Sequence, residues 1–229
     1  MHCILRFALC LMLFCGLAAP SAHAADTAAV IAKMQAVYAA MDSFSADFTQ
    51  ELHQRESGVT EKRRGTIVFK KPLLLRWETA APHAELLMVT EKEIWDWLPD
   101  EELAYRYSRQ MAEDSRSLLQ GVTGLSPLDR DFDVEPVPGA EEGLVHVLLY
   151  PKEASTELTE VQLWVDPKTS LMRRVMVMDF YGNTNTVELS NIRPDAGAPA
   201  SLFTFTPPAG TEVEDHVGRA HPAERALNG

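Results

Sequence analysis

From Phe44 onward the chain is a series of short segments whose apolar side chains recur every second residue, and this period dictates strands rather than helices. Phe44, Ala46 and Phe48 alternate with Ser45, Asp47 and Thr49. Strand-like segments follow at 65–70, 73–78, 86–90, 93–98, 103–109, 132–137, 144–150, 160–166, 171–180, 184–192 and 202–205. Pro72, Pro82, Pro99, Pro151, Pro167 and Gly182 punctuate them. Sequential strands joined by short turns predict an antiparallel meander curling toward a barrel.

Two stretches break the period. Over residues 26–41, Val30, Ile31, Met34, Val37, Tyr38 and Met41 recur at steps of three and four, the spacing of a helix with one apolar stripe. Asp26 or Thr27 can cap its start. Over residues 113–128, Leu118, Leu119, Val122, Leu125 and Leu128 fit one or two short helices interrupted by Gly121 and Gly124. A helical insertion within a meander has to pack on the sheet, and its mouth or concave face is one such place.

Several strands are apolar on both faces, whereas a sheet packed on one side alternates more cleanly. Leu73, Leu75 and Trp77 share a face opposite Leu74, and Trp95 and Trp97 share one opposite Ile94. The run from Leu86 to Val89 is apolar throughout. Val145, Val147 and Leu149 oppose Leu144 and Leu148, and Met172, Met176 and Met178 oppose Val175 and Val177. Two arrangements satisfy this pattern. Helices can cover one face and loops the other, or a curved sheet can enclose an apolar interior partly plugged by the helical segments.

The first residues bear on the compartment. Arg6, the apolar run from Phe7 to Ala19 and the small-x-small triplet Ala22-His23-Ala24 have the form of a secretory signal peptide, cleaved after Ala24. Cys3, Cys10 and Cys15 all lie in that leader, so the remaining 205 residues carry no thiol for a disulfide, a metal or nucleophilic catalysis. Met12-Leu13-Phe14 before Cys15 is too bulky for a lipid-attachment signal. The organisation expected is a signal peptide at 1–24, one domain at 25–216 and a polar tail at 217–229.

A formal charge of −12 disfavours nucleic acid and anionic lipid surfaces as partners. A composition that is 46% hydrophobic leaves an apolar ligand open. His53, His83, His146, His216 and His221 show no metal-ligand spacing, and no Gly-x-Ser-x-Gly elbow or phosphate-cradling glycine loop occurs. The expectation is a binding protein with no cofactor and no metal rather than an enzyme.

The ordered set Phe44-x-x-x-Phe48-Thr49-Gln50, Gly65, Lys71-Pro72, Arg76-Trp77-Glu78, Pro82, Ile94-Trp95, Pro99 and the closing run from Phe203 to Val213 resembles the outer-membrane lipoprotein carrier family, LolA. The resemblance spans about Asp26 to Asp215. It implies a single-domain open (half) antiparallel β-barrel, mainly β with α, covered by a helical lid. It implies a monomeric periplasmic carrier that takes lipoproteins by their acyl chains from an inner-membrane LolCDE-type ABC transporter and passes them to an outer-membrane LolB-type acceptor. On that reading Leu73, Leu75, Trp77, Leu87 and Trp95, with Met34, Val37, Tyr38 and Met41 of the first helix, line the acyl cavity. Leu118, Leu119, Val122 and Leu125 form the lid. Lys71 stands where the family has an arginine that helps hold the lid closed, and lysine lacks the planar guanidinium fork. Two alternatives have the same outline: an RseB-like envelope-stress sensor, which would need a second domain, and a carrier of another amphiphilic lipid.

Overall fold

The computed structural model describes residues 22–110, 128–139, 141–153 and 156–217. Helix α1 (Ala22–Ala40) opens the chain. Strands β1 (Ser43–His53), β2 (Thr60–Lys70), β3 (Leu74–Thr79), β4 (Glu85–Val89), β5 (Glu93–Leu98) and β6 (Leu103–Ser108) follow. After a four-residue helix, α2 (Leu128–Asp131), come β7 (Phe132–Pro136), β8 (Val145–Pro151), β9 (Glu160–Val165), β10 (Met172–Met178), β11 (Thr184–Pro194) and β12 (Glu212–Asp215). The proposed lid residues Leu118, Leu119, Val122 and Leu125 lie outside the described residues.

The strands form one open sheet in the order β12-β6-β5-β4-β3-β2-β1-β11-β10-β9-β8-β7. Every pairing is antiparallel except that of β12 with β6. The sheet curls. Tyr105 and Tyr107 near one end and Phe132, Val147 and Leu149 at the other belong to one continuous buried cluster. Ile31, Met34 and Tyr38 of α1 complete that cluster, with Met41 just past the helix, so the apolar stripe lies on the inner face of the curl.

The outer face of β3–β5 is also covered, which reconciles the two arrangements left open by the sequence. The chain leaves β11, where Asp195 Oδ1 accepts the Asp42 and Ser43 amides at 2.8 and 3.1 Å, and crosses that face as a strap. Phe203 and Ala198 pack on Leu74. Phe205 packs on Trp95 and Trp97, ring centroids 5.4 and 5.8 Å apart, beside Leu86, Met88 and Ala104. A helix therefore covers the inner face while a loop covers the outer.

Three local expectations change. The segment 202–205 is no strand: Ala200–Phe203 forms a 3₁₀ turn after Pro199, and the last strand is the exposed Glu212–Asp215. A bulge between Met172 and Arg174 moves Met172 to the inner side, where Met172, Val175 and Val177 join the main cluster, while Met176 lines the outer face. Helix α1 starts at Ala22, ahead of the expected position 26.

Candidate functional site

Strand register arranges the inner face in rows. Phe44, Phe69, Leu75, Val89, Ile94 and Tyr107 pair successively from β1 to β6 and form a wholly apolar row. The adjacent row is Ala46, Ile67, Trp77, Leu87, Asp96 and Tyr105. The next is Phe48, Gly65, Thr79 and Glu85, and beyond it Gln50 pairs with Arg63. The inner face of this half of the sheet is thus apolar near the C-terminal end of α1 and polar at the opposite end. On the other half the face stays apolar through Val187, Val175, Leu163 and Val147, each under 3% exposed.

The sequence-predicted cavity residues largely meet here. Leu73, Leu75, Trp77, Met34, Tyr38 and Met41 are buried in one cluster, with Leu87 and Val37 packed against it. Trp95 is the exception and is corrected: it lies on the outer face under Phe205, because side chains alternate along β5 and Ile94 and Asp96 take the inner positions. Tyr38 ties the helix to the sheet, its Oη accepting the Met172 amide at 3.3 Å. Burial pushes the Tyr38 phenol up to about 12 despite that bond, so the group stays neutral under ordinary conditions.

Lys71 also acts on α1. Its Nζ donates to the Ala39 carbonyl at 2.5 Å, satisfying one of the unpaired carbonyls at the helix C-terminus, where a cation also complements the dipole. The Lys71 amide donates to the Asp42 carbonyl at 2.9 Å. Its described bonds therefore hold the end of the helix.

The polar end was not foreseen. Arg63, with a side chain 9% exposed, donates to Glu85 at 2.8 Å and to Glu61. Glu85 lies diagonally opposite Asp96 on the same face, and burial, then the Asp96 charge, push its carboxyl up to about 7 against the lowering effect of Arg63. Gln50 donates to Asn185 at 3.1 Å, both buried. The available signal was alternation: Asp96 shares the inner phase of Ile94, between two tryptophans that point outward.

The outer face is different in kind across β8–β11. Trp164 lies between His146, stacked at 4.2 Å, and the Arg174 guanidinium at 5.1 Å, and its Nε1 donates to Glu141 at 2.8 Å. Arg174 also binds Glu188 at 2.8 Å and Glu141 at 2.9 Å. An open groove of about 890 Å³ runs beside this stack, lined by Thr49, Glu51, Lys62, Arg64, Met176 and Thr186 among others. Its lining is mixed in charge and takes in Gln50 and Arg63 of the polar end, and none of the predicted apolar cavity residues line it. No group of three or more metal-ligating residues occurs among the described residues, and no described helix is long and apolar enough to cross a membrane.

An open, curled sheet whose apolar inner face is covered by the chain's own helix defines a half-barrel protein. Comparison with known proteins agrees. The family described as outer membrane lipoprotein carrier protein LolA matches residues 39–206, and the chain belongs to it. An outer-membrane lipoprotein carrier protein of Bordetella avium is 29% identical over 182 residues, covering 79% of this chain and 85% of that protein. Its counterpart in Bordetella pertussis is 28% identical over 214 residues, covering 93% and 99%. The crystal structure of the Mycobacterium tuberculosis lipoprotein LppX shares the fold, with a TM-score of 0.51 at 10% identity, covering 77% of this chain and 98% of that one.

Proposed function

We propose that the protein is a periplasmic carrier that holds lipoprotein acyl chains against the apolar rows of its inner face, and that it catalyses no reaction. The observation that carries this reading is the filling of that face by a helix of the same chain: Met34 and Tyr38, with Met41 behind them, occupy the space an acyl chain would take. Residues 1–24 are then a leader removed on export, residues 25–216 the carrier domain and 217–229 an accessory tail. Loading comes from a LolCDE-type transporter and delivery goes to a LolB-type acceptor, the carrier working as a monomer without a cofactor.

The energetics require such a carrier. Removing a methylene from water contributes roughly 0.8 kcal/mol, so a chain of ~16 carbons is worth about 12 kcal/mol before ordering costs. A bare lipoprotein would neither leave a membrane nor stay monomeric. Cargo displaces the protein's own apolar side chains, so net affinity is a difference between two burials. Handover then needs no covalent step.

Leu75 and Leu87 are the residues to test. Leu75→Glu and Leu87→Glu should give exported protein that no longer extracts lipoproteins from inner-membrane vesicles, read by immunoblotting of the supernatant. Wild-type extraction by both variants would remove the inner face from the site. Mass spectrometry of the co-purified ligand separates lipoprotein acyl chains from any other amphiphile.

A further inference from the structure

The polar end of the inner face carries a feature that neither the apolar site nor the fold requires. Glu85 on β4 and Asp96 on β5 are diagonal neighbours on the same inner face, since Leu87 pairs with Asp96. Both are held away from water, Asp96 at 4% exposure, and two adjacent buried carboxyls favour keeping one of them protonated. One guanidinium serves the pair: Arg63 on β2 reaches across β3 to Glu85 at 2.8 Å, and the Arg63 and Glu85 side chains are 9% and 11% exposed. The other groups facing this cluster are Glu61 of β2, which also holds Arg63, and His83 of the β3–β4 turn, 3.5 Å from Glu61. Thr79 of β3 pairs with Glu85, and Tyr105 of β6 pairs with Asp96.

We propose that Glu85 and Asp96, adjacent on the inner face and served by Arg63, hold one proton between them, and that this proton is a pH-operated latch that holds β4 and β5 against β2 and keeps this end of the inner face closed. When the proton leaves, two adjacent buried carboxylates face one arginine that Glu61 already engages. Repulsion and desolvation then favour an arrangement in which the end of β4–β5 moves outward and admits water, uncovering the neighbouring row with Trp77 and Leu87. This inference rests on the reading of the inner face as an apolar-ligand site, and it adds control by pH.

The sign follows from linkage. The Glu85 carboxyl lies at 4.5 in the unfolded chain and about 7 in the fold, so the folded state binds the extra proton between those values. Its contribution is complete below the lower value and is lost as pH rises through the higher. The folding equilibrium constant should therefore drop on the order of 100-fold between about pH 4.5 and 8 from this group.

The test uses the full mature protein, with urea denaturation and binding of the uncharged probe N-phenyl-1-naphthylamine measured from pH 5 to 8.5. In the wild type the urea midpoint should fall with rising pH while probe affinity rises several-fold over the same window. Glu85→Gln, which keeps both an acceptor for Arg63 and a donor for Asp96, should flatten both curves. Asp96→Asn, which also removes the charge repulsion, should do the same. A wild-type slope retained in both variants would overturn the latch, as would a stability slope unaccompanied by any change in probe affinity. A probe that binds at no pH would instead sink the reading of the inner face as an apolar site. The urea slope judges the shared proton separately.

Discussion

Gly65 shows how little room the inner face leaves at single positions. A Cβ there would sit 1.9 Å from the Glu78 carbonyl oxygen and 2.9 Å from the Phe48 ring, which itself packs on Trp77 with centroids 4.6 Å apart. Backbone cannot yield as a flexible side chain can, so Gly65→Ala should destabilise by about 2–3 kcal/mol, measured by urea denaturation. Tyr38 is the converse case, a polar atom inserted where an apolar one would fit. Tyr38→Phe removes its bond to the Met172 amide and leaves that donor buried, costing about 1 kcal/mol. Spectrophotometric titration of the wild type should find one tyrosine that resists ionisation until about pH 12. The sequence showed Tyr38 as part of an apolar stripe. It could not show the hydroxyl's partner, which comes from a strand more than a hundred residues away.

At the scale of elements, strand phase was legible where alternation ran unbroken and failed where the backbone broke it. β1 is such a case, with Phe44, Ala46 and Phe48 inward, whereas β4 is apolar throughout from Leu86 to Val89 and its phase is fixed only by its register with β3. Strict alternation groups Met172 with Met176, and the bulge that separates them adds a residue that composition does not mark. The closing strand was missed because Glu-Val-Glu-Asp is polar on both faces, as suits an edge strand in solvent. Tryptophans in an apolar strand resemble cavity lining, yet the cover of Trp95 and Trp97 is the strap around Phe205 on the outer face. The strap should matter to stability. Phe205→Ala exposes both rings and should cost about 2–3 kcal/mol with a red-shifted tryptophan emission, whereas binding of a neutral apolar probe to the inner face stays near wild type.

Across the whole molecule, the helix and the sheet are joined at a few definite points. Lys71 binds the Ala39 carbonyl at the end of α1, and Tyr38 binds β10. Lys71→Leu frees the helix terminus without altering the apolar rows. We expect it to shift the balance toward the loaded form, so that carrier–lipoprotein complex accumulates in a two-step assay with loading and acceptor vesicles. Delivery at the wild-type rate would separate the lysine from transfer. The sheet itself is open, β7 at one end and β12 at the other, with no ladder joining them among the described residues. A closed cylinder has its girth fixed by strand number and stagger, and can widen only by breaking bonds between strands. This sheet has no such fixed circumference: its two margins can spread or draw together with the hydrogen bonds along it intact, as a cuff fits wrists of different size. One protein can therefore wrap cargoes of unequal bulk, and hydrogen exchange of the amides bonded between neighbouring strands should be the same empty and full.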